Sequence, residues 1–440
     1  MISWILEYPE SGVLFSIALL CIVVFLWKRG DFFSPANIYC FSQALMLGVA
    51  YLKLNPAMTD FSLFTWMVWI GGLLSFLGGC FLMNLVWTSR NGSPMDFPLK
   101  LHCEYDWNRH FLFSFVAFGY FLIGVFCVIS IVGNLILFTD SPGSWMGKSP
   151  KVGAYAVFFC SSPMVVSLFG VASFKSLNPS HRYIRWVSRF MAIFTTCLSF
   201  MTFPNRGTTF VCAGSLVVLY NYLHKKLSFS LILIIAGIGL AAFILIAAIK
   251  NQYGEGSVAG QIATSSVIDL PYKYVANNYW NLDYALNKDS DEPEHPTTFG
   301  ADIFYGVLYY THLPEALRTS FGWDTPYNES VEKVNGLNTV SYLWDAYKDF
   351  GLPGVFLEPF FFGLLFTFIY RRLSVMKTPM GVLFHTMFVF WILFWSFTTG
   401  YKQPMYWAWI LFFLLIPALC SKKATSRCDL CGKNSSRELQ

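Results

Sequence analysis

Residues 110–138 have the sequence HFLFSFVAFGYFLIGVFCVISIVGNLILF and contain no Asp, Glu, Lys or Arg. A helix over these residues would be about 43 Å long at roughly 1.5 Å per residue, and the hydrocarbon core of a bilayer is only about 30 Å thick. A run this long and this apolar predicts a membrane-spanning helix.

The composition of the whole chain agrees with this interpretation. Hydrophobic residues make up 55% of the sequence and charged residues only 12%, whereas a soluble domain carries about 25% charged residues. The first apolar run follows Glu7 and Glu10 and has no basic segment before it, so we expect a retained span and not a cleaved signal peptide. The net charge of +5 gives no reason to expect a nucleic-acid partner.

The sequence predicts an all-α polytopic membrane protein with about eleven transmembrane helices. The runs that predict them lie at about 11–27, 35–54, 61–87, 110–138, 152–174, 187–203, 208–223, 227–249, 351–370, 380–399 and 404–420. The pair at 187–203 and 208–223 could also be a single broken hairpin, because both runs are short. No internal sequence repeat is evident.

The connections between these runs alternate sharply in charge. One set is rich in basic residues: Lys28 and Arg29; Arg90, Lys100 and Arg109; Lys175, Arg182, Arg185 and Arg189; Lys225 and Lys226; Arg371, Arg372 and Lys377; and, in the tail, Lys422, Lys423 and Arg427. The positive-inside rule predicts that this set is cytoplasmic. The N-terminus is then outside and the C-terminus cytoplasmic, which requires an odd number of spans.

This topology divides the chain into four parts. We predict transmembrane helices 1–8 within residues 1–249, one large periplasmic loop at 250–350, transmembrane helices 9–11 within 351–420, and a cytoplasmic tail at 421–440. The apolar run at about 299–311 is too short to span a bilayer and would lie at the interface or re-enter.

A first candidate site is the segment from Asn205 to Thr209, NRGTT, at the predicted outer start of a span. An Arg beside a helix N-terminus is an anion-binding arrangement, since the free N–H groups and the helix dipole also favour negative charge. Arg206 is therefore a candidate phosphate-binding residue. The alternative is that its side chain only extends to the membrane interface.

The predicted periplasmic loop is the second candidate. It contains 14 of the 25 acidic residues and 11 of the 23 tyrosines of the chain. Aromatic rings stack on sugar faces while carboxylates and amides bind sugar hydroxyls, although aromatic residues also form the interfacial belt of membrane proteins.

Candidate acid–base residues in this loop are Asp302, His312, Glu315 and Asp349. Asp349 precedes a predicted span, so it could instead cap the helix that begins near Gly351. Arg318, the only arginine of the loop, would be a second phosphate contact or an ion-pair partner of an acid such as Glu315.

Two further stretches lead into the ninth predicted span: NTVS at 338–341 and YKDFGLPG at 347–354. Together with the Arg-Gly at a span start and the late outer loop, they resemble the Wzy-type oligosaccharide repeat-unit polymerases, the O-antigen polymerases of Gram-negative bacteria. The spaced Arg…Gly signature of some family members is missing, because Val217 occupies the expected position.

The resemblance implies a multi-pass enzyme of the bacterial inner membrane. Its substrates would be two glycans linked to undecaprenyl pyrophosphate, a donor and an acceptor, in contact with membrane lipid, and a chain-length regulator is a further candidate partner. Arg206 and Arg318 would bind the leaving pyrophosphate, and one of the four acid–base candidates would activate the acceptor hydroxyl.

We expect no cofactor and no metal. Cys428 and Cys431 supply only two of the four ligands that a structural zinc site needs, and a free cytoplasmic dithiol is the simpler interpretation.

Three other functions are compatible with the topology: an O-antigen ligase acting on the lipid A core, a lipid-linked oligosaccharide transporter, and a non-enzymatic scaffold. Transporters tend to have repeated halves and charged residues at mid-membrane. The sequence shows no repeat and no mid-span acid, and Glu358, near the outer end of its predicted span, comes closest to one.

Overall fold

A computed structural model of the chain describes residues 9–27, 31–54, 59–91, 98–99, 101, 105–139, 155–174, 182–203, 206–228, 230–239, 241, 269–287, 300, 303, 339–376, 378–397 and 402–421. Within these ranges the regular structure is helical, with no strand and one isolated antiparallel bridge between Tyr105 and Ser421. The all-α prediction is thereby confirmed for the described part of the chain.

The helices, in chain order, are α1 (Pro9–Trp27), α2 (Pro35–Ala50), α3 (Leu63–Asn91), α4 (Trp107–Val132), α5 (Ala156–Phe159), α6 (Ser162–Phe174), α7 (Arg182–Thr202), α8 (Arg206–Leu223), α9 (Ser230–Gly239), α10 (Asp269–Asn287), α11 (Tyr342–Phe350), α12 (Leu352–Met376), α13 (Pro379–Phe394) and α14 (Pro404–Cys420). A short 3-10 helix, Ile136–Phe138, follows α4.

Four helical segments within the described ranges are long and apolar enough to cross a membrane. They are Leu63–Thr88, Trp107–Phe138, Ala156–Phe174 and Leu352–Leu373. Shorter apolar helices, of 10–17 residues, lie at Pro9–Val24, Gly207–Leu223, Ser230–Gly239, Pro379–Phe394 and Pro404–Cys420. These lengths and compositions fit a helical membrane protein, while the number of eleven spans and their orientation remain predictions.

The longest predicted span begins and ends at clear sequence signals. Asp106 caps α4 by accepting hydrogen bonds from the N–H groups of Asn108 and Arg109. The helix ends at Gly133, which has a φ of +80°, a conformation that glycine adopts without a steric penalty. The predicted span at 110–138 is therefore an α-helix followed by a 3-10 turn.

In the described part of the predicted loop at 250–350, two helices pack into the bundle. Helix α10 lies against α2 and α3, and its Tyr279 hydroxyl bonds to Gln43 Oε1 at 3.1 Å and to Ser396 Oγ at 2.9 Å. Asp283, farther along α10, accepts hydrogen bonds from the Ser62 N–H at 2.9 Å and the Thr65 hydroxyl at 2.7 Å. These described parts of the loop therefore belong to the core of the fold.

Helix ends that the charge pattern assigns to one side contact one another. At the predicted cytoplasmic end, the Leu99 N–H donates to the Tyr222 carbonyl at 2.8 Å, and the Asp106 N–H donates to the Cys420 carbonyl at 2.9 Å. At the predicted outer end, α10 binds the start of α3 through Asp283. These contacts join segments that the charge pattern assigns to the same side of the membrane.

Among the described helices, α3 and α12 form the most extensive pair. They run in the same direction, because Gly71 lies against Phe356 and Gly79 against Phe360. Glycines let their backbones approach closely, because a Cβ at Gly79 would meet the Phe360 carbonyl and a Cβ at Gly363 would meet the Phe76 carbonyl. Small residues at such contacts are typical of helices packed in membranes.

Candidate functional site

A cavity of about 240 Å³ opens where four helix ends meet at the predicted outer end of the bundle. Its walls combine polar groups with a larger apolar surface. The lining residues are Cys160, Pro163, Gly207, Thr208, Val211, Phe394, Gln403, Met405, Tyr406 and Trp409.

Three of the four helix ends at this cavity are N-termini. Pro163 belongs to the first turn of α6, Gly207 and Thr208 to the first turn of α8, and Met405 to the first turn of α14. Gln403, the N-cap residue of α14, makes no side-chain cap hydrogen bond. Helix N-termini carry partial positive charge, so their convergence favours an anion. Pro163 and Pro404, at the starts of α6 and α14, have no N–H to donate.

The cavity contains part of the segment that the sequence singled out. Helix α8 begins at Arg206, so this residue is placed at the rim, and the next two residues line the cavity itself. Asn205 and the side chain of Arg206 lie outside the described residues. The predicted coincidence of an Arg-Gly pair with a helix start is therefore confirmed.

The remaining walls suit an amphipathic ligand. Phe394, Tyr406 and Trp409 present aromatic surface from α13 and α14. A volume of 240 Å³ is smaller than the roughly 300–1,000 Å³ of pockets that enclose drug-sized ligands. The cavity therefore suits a compact group, such as a phosphate or diphosphate, better than an oligosaccharide.

A buried ion pair lies at the turn that leads into this cavity. Lys402 Nζ is 2.6 Å from Asp345 Oδ1, and the two side chains are only 10% and 6% exposed. Gln403, the residue after Lys402, lines the cavity. The pair joins α11, at the end of the predicted loop, to the turn between α13 and α14.

Asp349 lies one helical turn after Asp345, on the same face of α11. Its side chain is buried, and Oδ2 accepts a hydrogen bond from the Ile303 N–H at 3.2 Å. Asp349 is thus inside a helix and not at the extended N-cap position of α12, which begins at Leu352 after Gly351. Ile303 directly follows Asp302, so the residue next to one acid–base candidate, Asp302, is hydrogen-bonded to another, Asp349.

The other candidates cannot be placed in the site. Asp302, His312, Glu315 and Arg318 lie outside the described residues, as do Cys428 and Cys431. Among the described residues, no group of three or more His, Cys, Asp or Glu side chains forms a possible metal site.

Sequence reasoning missed Asp345 and Lys402. Lys402 lies in a short outer connection at 400–403, the same kind of position that made Arg206 noteworthy, so the same argument could have found it. Asp345 gave no such signal, because its partner is 57 residues away in the chain.

A second polar cluster lies at the predicted cytoplasmic end. The Tyr222 hydroxyl contacts both Asp31 and His385, with 2.8 Å to His385 Nε2. Burial raises the pKa of the Asp31 carboxyl above its usual value, although its bond with Tyr222 opposes this shift. These side chains bind one another, which indicates a structural network joining the start of α2 to α8 and α13.

No family model, curated protein or solved structure matches this chain.

Proposed function

We propose that this protein is a glycosyltransferase of the bacterial inner membrane that polymerises oligosaccharide repeat units linked to undecaprenyl pyrophosphate. The product would be an O-antigen or capsule-type polysaccharide, made at the periplasmic face. The proposal rests on the resemblance described above and on one structural observation, the cavity at the start of α8.

The cavity supports the proposal through its chemistry and its position. Three helix N-termini and Arg206 supply positive charge, and aromatic walls supply apolar surface. A polyprenyl pyrophosphate has an anionic head joined to an apolar tail, and its phosphates lie at headgroup depth. The predicted outer end of the bundle is the depth at which such a head would be found.

The reaction needs a cationic site for the leaving group and a base for the incoming hydroxyl. In this proposal, Arg206 and the helix N-termini bind the leaving pyrophosphate, with Arg318 as a second cation from the loop. The base is Asp349 or one of Asp302, His312 and Glu315. The acceptor hydroxyl loses its proton to this base as its oxygen bonds to the anomeric carbon, and the carbon–pyrophosphate bond breaks.

The test is the lipopolysaccharide ladder of a strain from which the gene has been deleted. Loss of polymerase leaves lipid A core carrying a single repeat unit, and the plasmid-borne gene restores the ladder. Bare core with finished polymer still attached to the lipid carrier would instead identify a ligase. A full ladder of altered length would indicate a scaffold or regulator, and accumulation of lipid-linked units on the cytoplasmic side would indicate a transporter.

A further inference from the structure

Helix α7 begins with a repeated pairing of arginine with an aromatic residue. Its first nine residues have the sequence RYIRWVSRF, in which Arg182, Arg185 and Arg189 each directly precede an aromatic residue. Residues that are three, four and seven positions apart share one face of an α-helix. The arginines therefore form one row along the first turns of α7, and the aromatic residues form a second row beside it. This aromatic row consists of Tyr183, Trp186 and Phe190.

The aromatic row faces away from the described part of the protein. Trp186 is 60% exposed and Phe190 is 64% exposed, and the exposed apolar surface continues to Ile193. The opposite face of α7 packs on α6, where the Ser199 and Ser162 hydroxyls are 2.7 Å apart. Exposed Trp and Tyr side chains at the end of a membrane helix are typical of the lipid–water interface, so the expected cover of this row is lipid.

The arginine row carries positive charge, and no acid of its own helix or of α6 offsets it. Neither α6 nor α7 contains an acidic residue. Within the described part of the chain, Arg182 and Arg185 have no ion-pair or hydrogen-bond partner. Arg109, at the start of the adjacent α4, is already paired with Asp106. Arg182 and Arg185 can therefore bind an anion from outside the protein.

Arg189 differs from the other two arginines, because it is bound within the protein. Its guanidinium lies 5.4 Å from the centre of the Trp186 ring, and its Nη2 donates to the Ser173 carbonyl at 3.5 Å. These contacts hold the Trp186 ring beside the arginine row. The start of α7 thus presents two cations next to an apolar aromatic surface.

We propose that the start of α7 binds an anionic phospholipid of the cytoplasmic leaflet, with its phosphate on Arg182 and Arg185 and an acyl chain along the aromatic row. A guanidinium matches the geometry of phosphate oxygens, and basic residues at the cytoplasmic ends of membrane helices attract anionic lipids. The aromatic row leads from these arginines toward Ile193, which is the direction in which an acyl chain would enter the bilayer. This inference goes beyond the proposed function and does not depend on it.

A second copy of this chain fits the surface less well than a phospholipid. Two-fold contacts between copies place the same surface patch on both sides of the interface. The arginines of one copy would then face those of the other, with no acidic residue of α6 or α7 between them. A lipid phosphate supplies the negative charge that such a contact lacks.

The experiment measures lipid binding to the delipidated full-length protein by native mass spectrometry, with phosphatidylglycerol and phosphatidylcholine as probes. We expect the wild type to bind phosphatidylglycerol about tenfold more tightly than phosphatidylcholine, or better. The double variant R182Q/R185Q should lose this preference, because each arginine near the membrane surface changes the affinity for an anionic lipid by about fivefold. R182K/R185K keeps both charges and should retain most of the preference.

Arg372→Gln is the matched control. Arg372 is also an exposed arginine at the predicted cytoplasmic end, and its guanidinium lies 5.5 Å from the centre of the Phe368 ring. It belongs to α12, which packs on α3, so its loss should leave the wild-type lipid preference unchanged. Thermal melting of each variant checks its fold, and we expect melting temperatures close to that of the wild type.

Three results would overturn the inference: equal binding of the two lipids by the wild type, an undiminished preference in folded R182Q/R185Q, or an equal loss of preference in Arg372→Gln. A wild-type dimer that Trp186→Ala separates into monomers would also overturn it, because a second copy would then cover this surface. Loss of the preference in R182Q/R185Q alone supports it. Because binding is measured without turnover, the outcome is independent of any polymerase activity.

Discussion

Asp349 Oδ2 accepts a hydrogen bond of 3.2 Å from the backbone N–H of Ile303, which lies 46 residues earlier in the chain. This bond ties the segment that carries Asp302 to helix α11. Replacing Asp349 by asparagine therefore distinguishes a role as hydrogen-bond acceptor from a role as charged base. An asparagine could accept the same bond through its amide oxygen, but it has no negative charge.

We predict that Asp349→Asn abolishes polymer formation while the protein level in the membrane stays normal. Loss of a general base lowers a rate by about 10²-fold or more, whereas a role limited to accepting the Ile303 N–H would leave activity close to the wild type. The measurement is the lipopolysaccharide ladder together with an immunoblot of the membrane fraction. A normal ladder would return the base to Asp302, His312 or Glu315.

Asp283→Asn is the matched control for that substitution. Asp283 is also a buried acid of the predicted loop, but it accepts hydrogen bonds from the start of α3. We expect this variant to lose stability by about 1–3 kcal/mol, as for weakened bonds to a charged acceptor, and to keep polymer formation in proportion to the folded protein. Thermal melting and the ladder measure the two effects separately.

Arg206 should act through its charge at the first residue of α8. We predict that Arg206→Ala abolishes polymer with normal membrane insertion and that Arg206→Lys retains part of the activity, since lysine keeps the charge but not the planar fork. The control is Arg109→Ala, because Arg109 is exposed and pairs with Asp106 at the predicted cytoplasmic end. Full ladders from the alanine variant at 206 would remove this residue from the site.

The packing of α3 on α12 makes a prediction about stability alone. A Cβ at Gly79 would overlap the Phe360 carbonyl, while a Cβ at the adjacent Gly78 would meet only the Phe360 ring at 3.8 Å. Gly79→Ala should therefore destabilise the protein by about 1–3 kcal/mol through overpacking, and Gly78→Ala should be tolerated. Melting of the two purified variants in the same detergent tests this contrast, and equal melting temperatures would contradict the close helix contact.

The orientation of the chain can be tested with reporter fusions. A reporter that is active only outside the cytoplasm should work when fused near residue 300 and fail near residues 181, 225 and 375, because the connections at the last three positions are basic. Activity at 225 would overturn the span assignment.

The sequence predicted the helices of the bundle well because their signals are local. The apolar run at 110–138 predicted α4. The Asp106 cap and Gly133, which sequence reasoning did not single out, lie in the same stretch of chain. The lengths were less accurate: the run at 152–174 is broken at residues 160–161 into α5 and α6. The residues at this turn do not interrupt the apolar run, so hydropathy does not detect the break.

The candidate site could be predicted only in part. Arg206 was recognised because its neighbours in sequence, a glycine and a helix start, carry the signal. The Asp345–Lys402 pair depends on how α11 packs beside the turn between α13 and α14, and no local pattern encodes that. Residues 269–287 were predicted only as part of the outer loop, because the hydrogen bonds that Tyr279 and Asp283 make to distant helices leave no local signal in the sequence.

The contact between Gly79 and Phe360 has a consequence for how the protein is made. The two residues are about 280 positions apart, so at roughly 5–20 residues per second the ribosome needs on the order of 15–60 s to deliver the second after the first. Throughout that interval the glycine-bearing face of α3 has no partner from its own chain. Lipid or the insertion machinery has to shield it, and a chain truncated before residue 352 would expose that face permanently and become a substrate for membrane quality-control proteases.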